Sequence, residues 1–366
     1  MAGFAMAHKM THTGRPAGGR KPTKAELTQV PIEHLDLEKV RNIADLLDGY
    51  RKISFQARTL GQCAAILEKA MLDPECTVFF GAAGALIPGG LRKVLRDLVA
   101  FGLVDVVVTT GANAYHDFYE AHGYRHYISS PDADDILLRE HMLDRVYDTL
   151  ADESLFRECD DEISAMADAL EPRAYSSREF LGMMGARAAK DPNSLVGACY
   201  RRGVPYFVPA LNDSSIGIAI TKHYRDRRKA GKPMIHIDAI KDNYEITQIK
   251  VKSPRTGVFY VGGGTPKNYI SQIEVTQEVL GFEENPHWYA VQITTDVPQW
   301  GGLSGCTFEE SQSWGKFRKD AKMAQSLVEA TIGLPLLAGY LLQKGVHKKR
   351  KPKKFTWRGD ELVKLA

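Results

Sequence analysis

The sequence predicts an α/β protein, a doubly wound, mostly parallel sheet covered by helices on both faces. Three observations carry that expectation. Short β-branched runs alternate with segments of helical period, the runs are apolar throughout, and each gives way to Gly, Asp, Asn or Thr before the next helical pattern begins. A strand that is apolar on both sides must be buried on both faces, as in a parallel sheet between two helical layers.

In chain order, CTVFFG at 76–81 is the first run, and the helical GLRKVLRDLVAFG follows from Gly90. LVDVVVTT at 103–110, PYFVPAL at 205–211 and PMIHID at 233–238 come next. GVFYVGG at 257–263 precedes the helical KNYISQIEVTQEVL, and WYAVQITT at 288–295 is the last run. The two ends differ from this body. The first thirty residues are rich in Gly, Pro, Thr and basic side chains without an apolar period, and are expected to form a flexible arm. KKRKPKK at 348–354 reads as a solvated tail, with a nucleic-acid or nuclear-import patch as the alternative.

The net charge of +3 is uneven. Residues 1–24 carry +5 and residues 347–366 carry +6, which leaves −8 on the body between them. Such a field favours cationic partners. A 44% hydrophobic, 25% charged composition excludes disorder and collagen-like chains, and 366 residues suffice for one large domain or two modest ones. The apolar stretch at 332–342 is about half the ~20 residues a membrane span needs, so neither a membrane nor a secreted protein is expected. Cys63, Cys76, Cys159, Cys199 and Cys306 are odd in number and scattered, which points to a reducing, cytoplasmic setting. No His pair has metal-ligand spacing, so no metal is expected, and no G-x-S-x-G elbow announces a serine hydrolase.

In doubly wound sheets, ligands bind beyond the carboxyl ends of the strands. There the chain has Gly-, Thr- and Asp-rich segments at 81–90, 109–117, 212–217, 262–267 and 294–305. Gly262, Gly263 and Gly264, between a strand and a helix, suit a phosphate cradle or a tight turn. Thr109, Thr110 and Gly111 suit a ribose or pyrophosphate, or a strand-ending turn. The segment EESQSWGKFRKDA at 309–321 could set Trp314, an acid and a desolvated Lys316 in one pocket, where a lysine becomes a nucleophile toward imines. It also reads as a surface helix start with a core Trp.

The stretch Ser313-Trp314-Gly315-Lys316 resembles the active-site lysine motif of the deoxyhypusine synthase family. FVPALNDSSIG from Phe207, VGGG from Val261, DVVVTTG from Asp105 and FQAR from Phe55 resemble it too, in the family's order, over about residues 30–342. The resemblance implies a Rossmann-like single large domain at 30–346, flanked by the basic arm at 1–29 and the basic tail at 347–366. It implies a homotetramer with active sites between paired subunits, and NAD that borrows and returns a hydride. In the family, spermidine is oxidised, the lysine captures its aminobutyl group as an imine with loss of 1,3-diaminopropane, and the group passes to an acceptor. The acceptor is a lysine of the hypusine-bearing translation factor or, in plant relatives, putrescine.

Carried over by position, Lys316 is implied as the imine-forming lysine, and Trp314, Glu310, Ser304 and the position of Asn268 as the amine pocket. The implied NAD contacts are Gly84, Ala85, Thr109, Thr110, Gly111, Asp213, Gly262, Gly263, Gly264, Thr295, Glu329 and Ala330. Departures are specific. Ile218 and Leu303 stand where the family places amine-binding acids, Asn268 replaces a His, Gln272 an Asn, His116 a Glu, and Gly84-Ala85 a Ser-Asn pair. A buried ammonium without a carboxylate costs several kcal/mol, so the lost acids point away from spermidine and toward a less charged amine. The implied activity is NAD-dependent aminoalkyl transfer. An NAD-dependent amine oxidoreductase and a non-catalytic NAD-binding regulatory protein are the alternatives, and nucleic acid is not an expected partner.

Overall fold

The structure is a computed structural model describing residues 21–366, so most of the expected basic arm lies outside the described residues. In chain order, the elements that matter here are α1 (Phe55–Leu72), β1 (Cys76–Ala82), α2 (Arg92–Ala100), β2 (Val106–Thr109), α3 (Gly111–Ala121), β3 (Tyr206–Phe207) and α4 (Ser215–Lys229). They continue with β4 (Arg255–Val261), α5 (Gly264–Val279), β5 (His287–Thr294), α6 (Phe308–Gln312), β6 (Phe317–Leu327), α7 (Ala330–Gln343), β7 (Phe355–Arg358) and β8 (Glu361–Leu365).

The sheet runs β6-β5-β4-β1-β2-β3, and every pairing is parallel. Strand order reverses between β1 and β4, where Cys76 faces Arg255 and Ala82 faces Val261. Every residue of β1 is buried, which explains its unbroken apolar run. Its side chains alternate between two cores. Phe80 joins Leu67, Leu95 and Phe118 under α1, α2 and α3, while Phe79 joins Ile246, Ile270 and Ile273 under the helix Ala239–Val251 and α5.

Three expectations about the strands are corrected. PYFVPAL contributes only the two residues of β3 to the sheet. In PMIHID only His236–Ile237 is extended, and it pairs with Ala174–Tyr175 outside the main sheet. The sixth strand, β6, lies in a segment read as a helix start. It is an edge strand with Lys319, Asp320 and Lys322 exposed, the charged dress that protects an edge from pairing and hides it from a hydrophobicity pattern.

The basic C-terminal run does not behave as a solvated tail. Arg350 is buried and bonds the Asp105 carboxylate at the foot of β2, while the Lys353 N–H donates to Asp105 Oδ1 at 2.9 Å. The antiparallel hairpin β7-β8 then sets Leu362 into the second core. At the other end, Thr23 and Glu26 form a capping box on the single turn Lys24–Leu27, so that part of the expected arm is helical. No helix among the described residues is long and apolar enough to cross a membrane.

Candidate active site

Strand order reverses between β1 and β4, and sheets of this class form their ligand crevice at the carboxyl ends of the strands at such a point. Its lips are the loop after β1 and the glycines after β4. Gly84, Gly262 and Gly264 have φ of +94°, +66° and +55°, a region that side-chain-bearing residues rarely enter. A Cβ on Gly262 would lie 3.3 Å from the Ala83 carbonyl oxygen, so the two loops already touch backbone to backbone. Asn113, fully buried on α3, fixes the first lip. Its Nδ2 donates to Gly84 O at 2.9 Å and to Thr110 Oγ1 at 3.1 Å, and its Oδ1 accepts from Leu86 N at 3.2 Å.

Other expected cofactor residues gather around this crevice. Gly111 starts α3 against Ser214, where a Cβ would sit 2.3 Å from the serine oxygen, so Thr110 and Gly111 adjoin exposed Asp213. A Cβ on Gly89 would lie 3.5 Å from Thr331 Cγ2, which brings the start of α7, with Glu329 and Ala330, to the same loop. Glu329 caps α7, accepting from Thr331 N at 2.8 Å. Thr295 is exposed just beyond β5. Thr109 differs from these. It is fully buried, with its hydroxyl 2.6 Å from Tyr206 Oη, so its side chain serves the fold. Bare glycine backbone, two helix N-termini and exposed loops at a strand-order switch fit a dinucleotide such as NAD.

Ser304 joins the crevice to a second site. Its Oγ accepts from Gly264 N at 2.9 Å, its carbonyl accepts from Gln292 Nε2 at 2.8 Å, and a Cβ on Gly263 would come within 2.4 Å of its Cα. Beside it lies a pocket of about 370 Å³ lined by Lys316, Trp314, Glu310, Asn268, Leu303 and Lys267, among others. The expected amine-pocket side chains other than Ser304 therefore meet on one wall system, and Gln272 lines it as well.

The chain reaches that arrangement through a short α6. Thr307 caps it, accepting from Glu310 N at 3.0 Å, and Gly315, at φ +72°, turns the chain out of it. Lys316 follows at the mouth of β6, its carbonyl accepting from His287 N at 3.1 Å. Its ammonium lies 5.6 Å from the centroid of the Trp314 ring. Burial lowers the Lys316 pKa, with Cys306 and Glu310 opposing. Trp314 is 66% exposed and is not a core residue, contrary to the alternative reading of this segment.

Two departures lie elsewhere. Ile218, on the first turn of α4, is exposed and does not line the pocket. His116 on α3 shares a 2.9 Å hydrogen bond with His126 Nε2, whose Nδ1 lies 2.8 Å from Glu120 Oε1. Burial, then His126, pushes His116 down to about 4, so it is uncharged at neutral pH. Sequence reasoning passed over Lys267, Gln292, Cys306 and Asn113. Only Lys267 gave a signal, a charge on the inward face of the helix that follows three glycines.

Residues 45–341 match the family model for deoxyhypusine synthase. The chain is 44% identical over 93% of its length to "Probable deoxyhypusine synthase 2" of Methanosarcina mazei, of which it covers 97%. It is 41% identical over 89% of its length to the "Deoxyhypusine synthase-like protein" of Chlorobaculum parvum, of which it covers 93%. Among solved structures, that of "a putative deoxyhypusine synthase from Entamoeba histolytica" aligns with 88% of this chain and 99% of that one. Its TM-score is 0.58 at 19% identity, a likeness of fold.

Proposed function

The chain belongs to the deoxyhypusine synthase family, and from that premise we propose that it is an NAD-dependent aminoalkyl transferase working through an imine on Lys316. The observation that supports this reading best is the single pocket lined by Lys316, Trp314 and Glu310 and joined through Ser304 to the glycine-lined crevice. NAD, when bound, would supply a hydride acceptor that later gives the hydride back. Gly262 to Gly264, Gly84 and Ala85, Thr110 and Gly111 would hold it by backbone and hydroxyl groups, with Asp213, Thr295 and the Glu329-Ala330 pair at the periphery.

Glu310 then holds the ammonium of the donor amine, and the face of Trp314 attracts the same charge. Lys316, partly desolvated and so more readily uncharged, attacks the carbon of the substrate imine. A new C–N bond forms to Lys316 Nζ, the bond to the departing amine breaks, and that amine leaves with a proton. The acceptor amine repeats the exchange and frees Lys316.

Among the described residues the pocket wall holds one carboxylate, Glu310, beside Leu303, Asn268 and Gln272. This favours an amine with fewer charges than spermidine as donor, and a protein lysine or a small amine as acceptor. The functional assembly proposed is the homotetramer usual in the family. Borohydride added during turnover with NAD and a panel of di- and polyamines is expected to trap an adduct on Lys316 by peptide mass analysis, and Lys316→Ala to trap none. A folded, NAD-binding protein that yields no adduct with any amine would falsify the transferase reading. NADH accumulating in step with amine consumption would instead mark an oxidoreductase.

A further inference from the structure

Lys267 lies on the first turn of α5, 3% exposed, directly under the pocket. Its Nζ donates to Gln292 Oε1 at 2.8 Å, to the Cys306 carbonyl at 2.5 Å and to the Ser304 carbonyl at 3.3 Å. An ammonium has three hydrogens for these three oxygens, whereas a neutral amine has two and would turn its lone pair toward the third. The partners are themselves fixed. Gln292 spends its Nε2 on the carbonyls of Gly262 and Ser304, at 2.7 and 2.8 Å, so only its oxygen can face Lys267. Gln325, paired with Gln292 across β5 and β6, donates to the same Gln292 oxygen at 2.6 Å and to Cys306 O at 3.1 Å.

We propose that Lys267 is a positioning residue for Lys316: a buried ammonium, fixed by three oxygens, that holds the 302–306 loop against the crevice and disfavours a second positive charge on the neighbouring amine. Two lysines face one pocket. Only Lys267 has, among the described residues, oxygens placed for all three of its hydrogens, which favours the charge there over a second charge on Lys316. Burial pushes Lys267 down to about 8, which still leaves it charged at neutral pH. The other titratable groups acting on the pair are Cys306, Glu310 and Asp296. Asp296 lies in the loop after β5 and is named for Lys267 alone. This inference rests on Lys316 being the reacting amine.

The test measures Lys316 directly and needs neither substrate nor turnover. The protein is pulsed with acetic anhydride from pH 6 to 10, and acetylation of the Lys316 peptide is read by mass spectrometry. In Lys267→Gln, the rate at pH 7 is expected to fall about tenfold and the profile to move up by about one pH unit, the displacement expected when a nearby like charge is removed. In Lys267→Arg, which keeps the charge, it is expected to stay within about twofold of wild type. A folded Lys267→Gln protein with the wild-type profile would overturn the proposal. Should that variant not fold, Lys267→Arg decides: a wild-type profile supports the role of the charge, and a tenfold loss assigns Lys267 to packing and overturns it. Labelling that responds as expected in a protein that never traps an amine adduct would refute the transferase reading while supporting the effect of Lys267 on the Lys316 amine.

Discussion

At the residue scale, the reactivity proposed for Lys316 comes from its place at the joint between a left-handed glycine turn and the first residue of an edge strand. Among the described residues Glu310 is the only carboxylate lining its pocket, so Glu310→Gln is expected to weaken amine binding about fivefold while leaving NAD binding unchanged, as titration of each ligand would show. Leu303 lines the same wall. Leu303→Asp is expected to shift preference toward amines of higher charge by about tenfold in kcat/KM, and an unchanged preference would mean that charge on that wall does not select the donor. Outside the Lys316 pocket, Asp242 is 1% exposed and accepts from Ser177 N at 2.7 Å, and burial pushes its pKa up to about 7. Its folded-state value exceeds the unfolded one, so its contribution to stability is complete below about pH 4 and lost as pH rises through 7. Asp242→Asn, which keeps an acceptor for Ser177, is expected to gain on the order of 2 kcal/mol over wild type at pH 8 and nothing at pH 4, measured by denaturant unfolding. Lys316, Trp314 and the acids replaced by Ile218 and Leu303 were legible through the resemblance to the family, because the residues alone also allow a surface helix start with a core Trp. Lys267 was not, because a lysine's surroundings decide its role, and its three oxygens come from a distant loop and a strand.

At the element scale, the site depends on how helix starts and loops are tied together. Asn113 binds the loop after β1 to the start of α3 through three hydrogen bonds. Asn113→Ala leaves buried polar partners unmatched and frees Gly84, so NAD affinity is expected to fall about tenfold and stability by about 2 kcal/mol; unchanged nucleotide binding by calorimetry would show that this lip does not contact the ligand. The strands β1, β2, β4 and β5 were readable because they are buried on both faces. The edge strand β6 was not, since one of its sides meets water and its composition matches that of a helix start. The two-residue β3 looked longer than it is because the apolar residues that follow, Val208 and Leu211, are buried outside regular strand structure.

At the scale of the whole molecule, the −8 charge of the body and the basic segment after it are parts of one unit. The positive run contributes Arg350 to Asp105 beneath the sheet, at the end opposite the crevice. Arg350→Met strands a buried carboxylate and is expected to cost about 3 kcal/mol and lower Tm while leaving adduct trapping at permissive temperature intact; an unchanged Tm would reject that role. Composition could not reveal this, because a charge count does not register that an arginine has found a buried partner. The pairing of β1 with β4 has a further consequence. Cys76 meets Arg255 across about half of the chain, so the crevice exists only once that long-range pairing has formed. A nucleotide that fits there would recognise only chains in which both strands are already paired, and would draw those toward the native state.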